Sequence, residues 1–150
     1  MSEKSKIADE LIRAYWGEME TVMNYVAHSV NLDGVRAEEI KKILIAEVTS
    51  EMTHAQTLAK RVKELGSQTP GSEAFRSVQK TLQPSSDTTD VVHTIKGVIK
   101  AEKEAVELYR SIIKLCEGKD YVTQDLCIRL LADEEAHLST FEGFLKEYTP

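Results

Sequence analysis

Proline and glycine are scarce in this 150-residue chain, with three and seven respectively. A β-sandwich or barrel needs many turns, and so few turn formers argue against one. Long apolar runs are missing too. None approaches the roughly 18 residues of a membrane span, so no membrane association is expected. There are two cysteines, at 116 and 127, too few for a disulfide framework and not spaced as a CxxC metal site. A basic stripe is lacking as well. Nineteen Lys and Arg stand against 25 Asp and Glu, a net charge of -6, and nucleic acid is not an expected partner. The opening residues, Met1 to Lys6, lead into an amphipathic pattern and not into the apolar core of a secretory signal, so the expected compartment is the cytoplasm. What is present is an ordinary globular mix, 41% hydrophobic and 29% charged, at a length that suits one domain over residues 1–150.

Four long stretches carry helical periodicity. The first runs from about Lys6 to Val30 and stops at Asn31-Leu32-Asp33-Gly34. The second runs from about Arg36 to Leu65, with Gly66 as its C-cap. The third starts near Asp87 or Asp90 and ends at Gly118; the fourth covers about Asp120 to Tyr148. Between the second and third lies a connector with room for one short helix, Glu73 to Leu82. Short outer connections make each flanking pair antiparallel, and the long middle one can cross the length of the molecule. The expected fold is all-α, a four-helix bundle with a long crossover between helices 2 and 3.

At about 100° per residue the apolar stripe of each helix can be located. Helix 1 presents Leu11, Tyr15, Val22 and Tyr25, with Glu18 among them and Glu20 pointing away. Helix 2 presents Ile40, Leu44, Ala55, Leu58 and Val62, with Glu51 central and Glu47 and His54 at one margin. Helix 3 presents Ile95, Val98, Val106, Tyr109 and Ile113 around Glu102. Helix 4 presents Cys127, Leu130, Leu131, Leu138, Phe141 and Leu145, with Glu134 central and His137 at the edge. Each helix thus places a glutamate where a leucine is expected.

Burying an ionised carboxylate costs several kcal/mol, and four of them cannot serve stability. No inward Lys or Arg is available as partner, which leaves cations. Four glutamates carry -4 and two divalent ions +4. His54 and His137 each lie three residues after a central glutamate, on the same helix face, and supply one nitrogen per ion. A glutamate from each of two helices plus Glu-x-x-His from each of the other two is a di-iron or di-manganese carboxylate pattern. The expected metal ligands are Glu18, Glu51, His54, Glu102, Glu134 and His137. Ligand softness allows iron or manganese. An internal repeat supports the reading: Glu18 to Glu102 and Tyr25 to Tyr109 are both 84 positions, and Glu51 to Glu134 and His54 to His137 are both 83. Tyr25 and Tyr109 either donate hydrogen bonds to ligand carboxylates or are plain core tyrosines. Glu47 is either an entry or extra ligand or a surface residue. His28 and His93 are expected at the surface or at helix ends. Cys116 and Cys127 differ in height by about 10 Å along the bundle, too far for a disulfide, and two buried free thiols are expected.

Across nearly its whole length the sequence resembles the ferritin-like di-iron carboxylate superfamily, and bacterioferritins in particular. The resemblance rests on Glu18…Tyr25, Glu51-Met52-Thr53-His54-Ala55, Glu102…Tyr109, Asp133-Glu134-Glu135-Ala136-His137 and Asp120-Tyr121-Val122. It implies that Glu51 and Glu134 bridge two irons, that Glu18 and His54 complete one and that Glu102 and His137 complete the other. It implies oxidation of Fe(II) by dioxygen or hydrogen peroxide, with Glu51 and Glu134 carrying the chemistry beside Tyr25. It implies a homo-oligomer, at least a dimer, with shells of 12 or 24 subunits among the alternatives. Met52 matches the methionine that binds haem between two subunits in bacterioferritins; an apolar interface contact is the other reading. Two rival functions remain open at the level of sequence. One is a rubrerythrin-like di-iron or di-manganese peroxidase or oxygenase acting as a small oligomer, which needs a cavity beside the metals near Ala55, Ala101 and Ala105. The other is a non-enzymatic dimer that holds haem or metal.

Overall fold

A computed structural model describes residues 1–149. It contains four helices: α1 (Glu3–Asn31), α2 (Glu38–Glu64), α3 (Val91–Cys116) and α4 (Tyr121–Leu145). The boundaries follow capping chemistry. Ser2 accepts from the Ser5 amide, Asp90 from His93 and Asp120 from Thr123, so each side chain satisfies one of the amides orphaned at a helix start. Asp90, not Asp87, therefore opens α3. Gly66 and Gly118, at φ 85° and 71°, take the left-handed conformation that ends α2 and α3.

α1 packs along α2 and α3 along α4. Cross-links fix the directions. His28 meets Thr94 near one end of α1 and α3, while Tyr109 meets Glu18 further along, so these two helices are antiparallel. Arg61 donates to Asp120 and Thr123, and His54 contacts Asp133, so α2 and α4 are antiparallel as well. Helices α2 and α3 consequently run parallel, which only a lengthwise crossover permits.

The apolar core comes in two blocks. One gathers Leu44, Ile95, Val98, Leu82 and Phe141; the other gathers Leu11, Leu58, Val62, Ile112 and Leu130. Fully burying one such side chain contributes about 1.5–3 kcal/mol. The glutamates and histidines lie between the blocks, at the waist of the bundle. Cys116 and Cys127 are buried free thiols in the second block. Burial pushes them up to about 11 and about 12, so both stay protonated.

The crossover differs from the expected short helix. It is extended, with two single turns at Ser72–Ala74 and Lys80–Leu82. Its shape comes from being riveted into the α1–α3 groove. Leu82 is fully buried, and its carbonyl accepts from His28 Nε2 at 2.7 Å, while Thr94 Oγ1 donates to His28 Nδ1 at 3.0 Å. His28 is thus a core residue and not a surface one. Burial lowers its pKa, and it holds the connector as a neutral imidazole. His93, partly exposed, donates to the Gln83 carbonyl. Gly97 lets the connector approach: a Cβ there would lie 2.6 Å from the Thr81 carbonyl oxygen. Glu20 also departs from expectation. It is buried, because its carboxylate accepts the Val78 amide at 2.9 Å and the Gln79 amide at 2.8 Å. A periodicity that counts only helix faces cannot see this partner.

Candidate metal centre

The waist of the bundle brings all six expected ligands together. Two groups have donor atoms within 4.8 Å of one another: Glu18, Glu51, His54 and Glu134 form one, and Glu51, Glu102, Glu134 and His137 the other. Glu51 and Glu134 belong to both. Their two oxygens divide between the groups. Glu134 Oε1 is 2.9 Å from His54 Nδ1, while its Oε2 is 3.7 Å from His137 Nδ1. Glu51 Oε2 is 3.9 Å from His54 Nδ1, while its Oε1 is 3.2 Å from His137 Nδ1. Glu18 sits on the His54 side at 3.6 Å and Glu102 on the His137 side at 3.9 Å. Each central carboxylate is therefore oriented to bridge.

The imidazoles are aimed by outer carboxylates. His54 Nε2 lies 2.9 Å from Asp133 Oδ2, and His137 Nε2 lies 2.6 Å from Glu47 Oε2. Holding the outer nitrogen turns Nδ1 toward the glutamates and raises its basicity as a donor. Asp133 escapes detection in the sequence because it stands beside Glu134 with no period of its own. Glu47, one turn before Glu51, is partly buried and sets its Oε2 against the outer nitrogen of His137. The tyrosines cross between halves. Tyr25 on α1 donates to Glu102 at 2.6 Å, and Tyr109 on α3 donates to Glu18 at 2.5 Å. Tyr25 thus positions a carboxylate.

The electrostatics show what this cluster lacks. Burial raises Glu18, and together with neighbouring glutamates it raises Glu51 and Glu102 well above the usual range. Glu134 goes the other way. Burial opposes its charge, but the facing groups, Glu102 and His137 together with the hydrogen-bonded His54, outweigh it and hold the carboxyl low. Burial lowers both histidines, yet the carboxylates that face them, Glu134 and Glu18 for His54 and Glu134 and Glu47 for His137, push them up to about 10. Burial and the facing glutamates also raise Tyr25 and Tyr109, which stay protonated donors. The cluster by itself gathers protons to offset its charge.

Protons do not satisfy it. Among the described residues, five buried side-chain atoms lack a hydrogen-bond partner: Glu18 Oε2, Glu47 Oε2, Glu51 Oε1, Glu102 Oε2 and His137 Nδ1. All five belong to this cluster or to the carboxylate that steers it. Several lie close to one another without hydrogen-bond geometry. Carboxylate oxygens and an imidazole nitrogen that converge without hydrogen-bond geometry are an arrangement that cations fit, and carboxylates with one imidazole per ion suit iron or manganese. Met52 is half-buried on α2 and belongs to neither group. Among the described residues no helix is long and apolar enough to cross a membrane.

A family model described as "Ferritin-like domain" matches residues 8–149. A bacterioferritin of Desulfovibrio desulfuricans is 27% identical over 141 residues, covering 93% of this chain and 74% of that protein. An X-ray structure of Desulfovibrio desulfuricans bacterioferritin, described as having a diiron site, superposes with a TM-score of 0.81. It shares 25% identity, over 97% of this chain and 82% of the other. A dodecameric thioferritin, a bacterioferritin-related protein from Bacteroides fragilis, has the same fold with a TM-score of 0.87. It shares 24% identity over 99% of this chain and 88% of the other.

Proposed function

The chain belongs to the ferritin-like domain family, and from that premise we propose that it binds two Fe(II) ions per chain and oxidises them with dioxygen or hydrogen peroxide. Glu51 and Glu134 would be shared by both ions, Glu18 and His54 would hold one, and Glu102 and His137 would hold the other. The observation that carries this reading is that every buried unpaired side-chain atom among the described residues converges on these ligands or steers one of them. Two Fe(II) ions held there would supply one electron each, which with two protons would take dioxygen to hydrogen peroxide or hydrogen peroxide to two waters.

The chain's own groups prepare that step. Asp133 and Glu47 set against the outer nitrogens keep each Nδ1 turned toward the glutamates, where an ion would take the place of the proton shared by His54 and Glu134. Tyr25 and Tyr109 hold one oxygen of Glu102 and of Glu18, leaving the other oxygen free toward the centre. Incoming Fe(II) displaces the protons that the cluster gathers, so binding strengthens as pH rises. The apolar blocks above and below lower the local polarity, which strengthens each electrostatic contact.

We further propose that the chain works as a homo-oligomer. Met23, Val26, Val30 and Ile45 expose apolar surface on α1 and α2 that a second copy can cover. Light scattering reads the size directly. For the chemistry, Fe(II) oxidation is followed by absorbance on mixing with oxygenated buffer. The parent protein accelerates it, while Glu51→Ala falls to the rate of Fe(II) in buffer alone. Parental rates in that variant would contradict the assignment.

A further inference from the structure

A cavity of about 370 Å³ lies between α1 and α3, beneath the crossover. Glu18, Glu51, Glu102 and Glu134 form its floor, and Arg76, Val78 and Gln79 of the crossover line its roof. None of the four glutamates is more than 4% exposed, so the cluster is covered as the crossover lies. Six glutamates line the space against two arginines. Arg13 is already paired with Glu10 at 3.4 Å. A lining of that balance draws a cation inward and repels an anion. Arg76 belongs to the crossover itself, where its guanidinium donates to the Glu73 and Phe75 carbonyls.

The fastening of this roof differs from the packing of the core. Between residues 71 and 81 Gln79 alone is buried, and no apolar side chain is. Val78 is 68% exposed. Hydrogen bonds to one strip of α1 hold the segment down. The Glu20 carboxylate accepts the Val78 amide at 2.9 Å and the Gln79 amide at 2.8 Å. The Gln79 side chain donates to Thr21 at 2.7 Å and to the Gly17 carbonyl at 3.2 Å, and accepts from Asn24 at 3.0 Å. Water can replace each of these bonds, so the net hold of each is modest. The apolar anchor comes only at Leu82, which is fully buried. There the carbonyls of Leu82 and Gln83 accept from His28 on α1 at 2.7 Å and from His93 on α3 at 2.8 Å. Before the segment, Thr69 donates to the Ala59 carbonyl at 3.3 Å. A polar stretch between two fixed points opens at a lower free energy than the helices it covers. Its opening also carries Arg76 away from the mouth of the cavity.

We propose that residues 76–81 form a strap that unfastens from α1 while the bundle stays folded, and that metal ions reach the glutamates through the gap it leaves between α1 and α3. The proposal rests on the reading of the cluster as a metal centre. The rival way in passes Glu47 and His137, whose side chains are 17% and 14% exposed.

The test joins amide hydrogen exchange to the rate of Co(II) uptake by chelator-treated protein, followed by absorbance after rapid mixing. In the parent, the Val78 and Gln79 amides should exchange well ahead of those in the middle of α3. Gln79→Ala removes three side-chain bonds of the strap and touches no metal ligand. It should speed exchange at residues 78 and 79 about tenfold or more, and speed Co(II) uptake by a similar factor. The number of ions bound at equilibrium should stay the same. Gly17→Leu narrows the passage at a position where a Cβ meets nothing within 4 Å, and it should slow uptake. Asn24→Ala, which removes one of the three bonds, serves the same comparison if Gln79→Ala does not fold. Strap amides as protected as those of α3 would overturn the proposal, because the segment would then open only with the bundle. Faster exchange with unchanged uptake would overturn it too, and would send the ions past Glu47 and His137. A parent that binds no Co(II) at equilibrium sinks the metal reading itself, and the gate with it; normal binding with unaltered rates sinks the gate alone.

Discussion

Replacing Glu51 by glutamine removes a titratable proton from the centre of the bundle and leaves its shape almost unchanged. Glu51 is 1% exposed. Burial, then the charges of Glu18, Glu134 and Glu47, holds its carboxyl well above the ordinary 4.5. The sign of the consequence follows from linkage. A carboxyl whose folded value is raised lends stability that is fully present below the unfolded value and is lost as pH climbs through the folded one. Each unit of elevation corresponds to about 1.4 kcal/mol. Glutamine does not titrate. In metal-free protein, Glu51→Gln should therefore match the parent near pH 4.5 and become the more stable form as pH rises. Relieving a buried charge in this way is worth about 1–4 kcal/mol. For a chain of this size each kcal/mol moves Tm by about 2–4 °C. On the proposed coordination divalent ions reverse the order: at a hundredfold excess over Kd each of the two ions adds about 2.7 kcal/mol to the parent, and the variant, lacking the shared carboxylate, gains little. Thermal unfolding by circular dichroism at pH 5 and pH 8, with chelator and with anaerobic Fe(II), reads all four cases. If Glu51→Gln unfolds at lower temperature than the parent at pH 8 in chelator, the carboxylate stabilises the fold by itself and the reasoning fails.

Other perturbations probe the parts around this centre. Gly97→Ala would gain about 1 kcal/mol in a free helix, but here the new Cβ meets the Thr81 carbonyl at 2.6 Å. Overpacking and loss of the His28 bond to the connector cost about 2–4 kcal/mol, so Tm should fall; a rise in Tm would mean that the connector is not pinned. Tyr25→Phe removes the bond that holds Glu102, and calorimetric Fe(II) affinity should drop about 10–100-fold while the fold persists. An unchanged affinity would make Tyr25 a plain core residue. His54 and His137, raised from 6.5 to about 10, lend stability fully present below pH 6.5 and lost as pH rises through about 10. Metal-free protein should accordingly lose Tm on alkaline titration, and a flat profile there would refute the pairing.

Much of the fold was legible because it obeys helical periodicity. Stripes of apolar residues mark the helices, with the start of α3 left between Asp87 and Asp90, and Glu18, Glu51, Glu102 and Glu134 stand out because each occupies a leucine position. The paired Glu-x-x-His spacing placed His54 and His137 on the same faces. What stayed hidden depends on partners without a period. Glu20 looks outward on its helix and is buried only because amides 58 and 59 residues later need an acceptor. His28 is claimed by a carbonyl of the same connector. Glu47 and Asp133 perform matching tasks from unmatched positions, four before one bridge and one before the other, so the internal repeat does not reveal them. A cavity beside the cluster was only an open question at Ala55, Ala101 and Ala105; the last two line it and Ala55 does not, and its roof is the crossover, which carries no helical period.

Binding stoichiometry tests the central claim most directly. Chelator-treated protein is titrated with Fe(II) under anaerobic conditions in a calorimeter. Two ions per chain are expected, and both should be lost together in Glu51→Ala and in Glu134→Ala, because each carboxylate serves both halves of the site. Binding of one ion or none by the parent, or of two undiminished in either variant, would contradict a pair of cations held at the waist of this bundle.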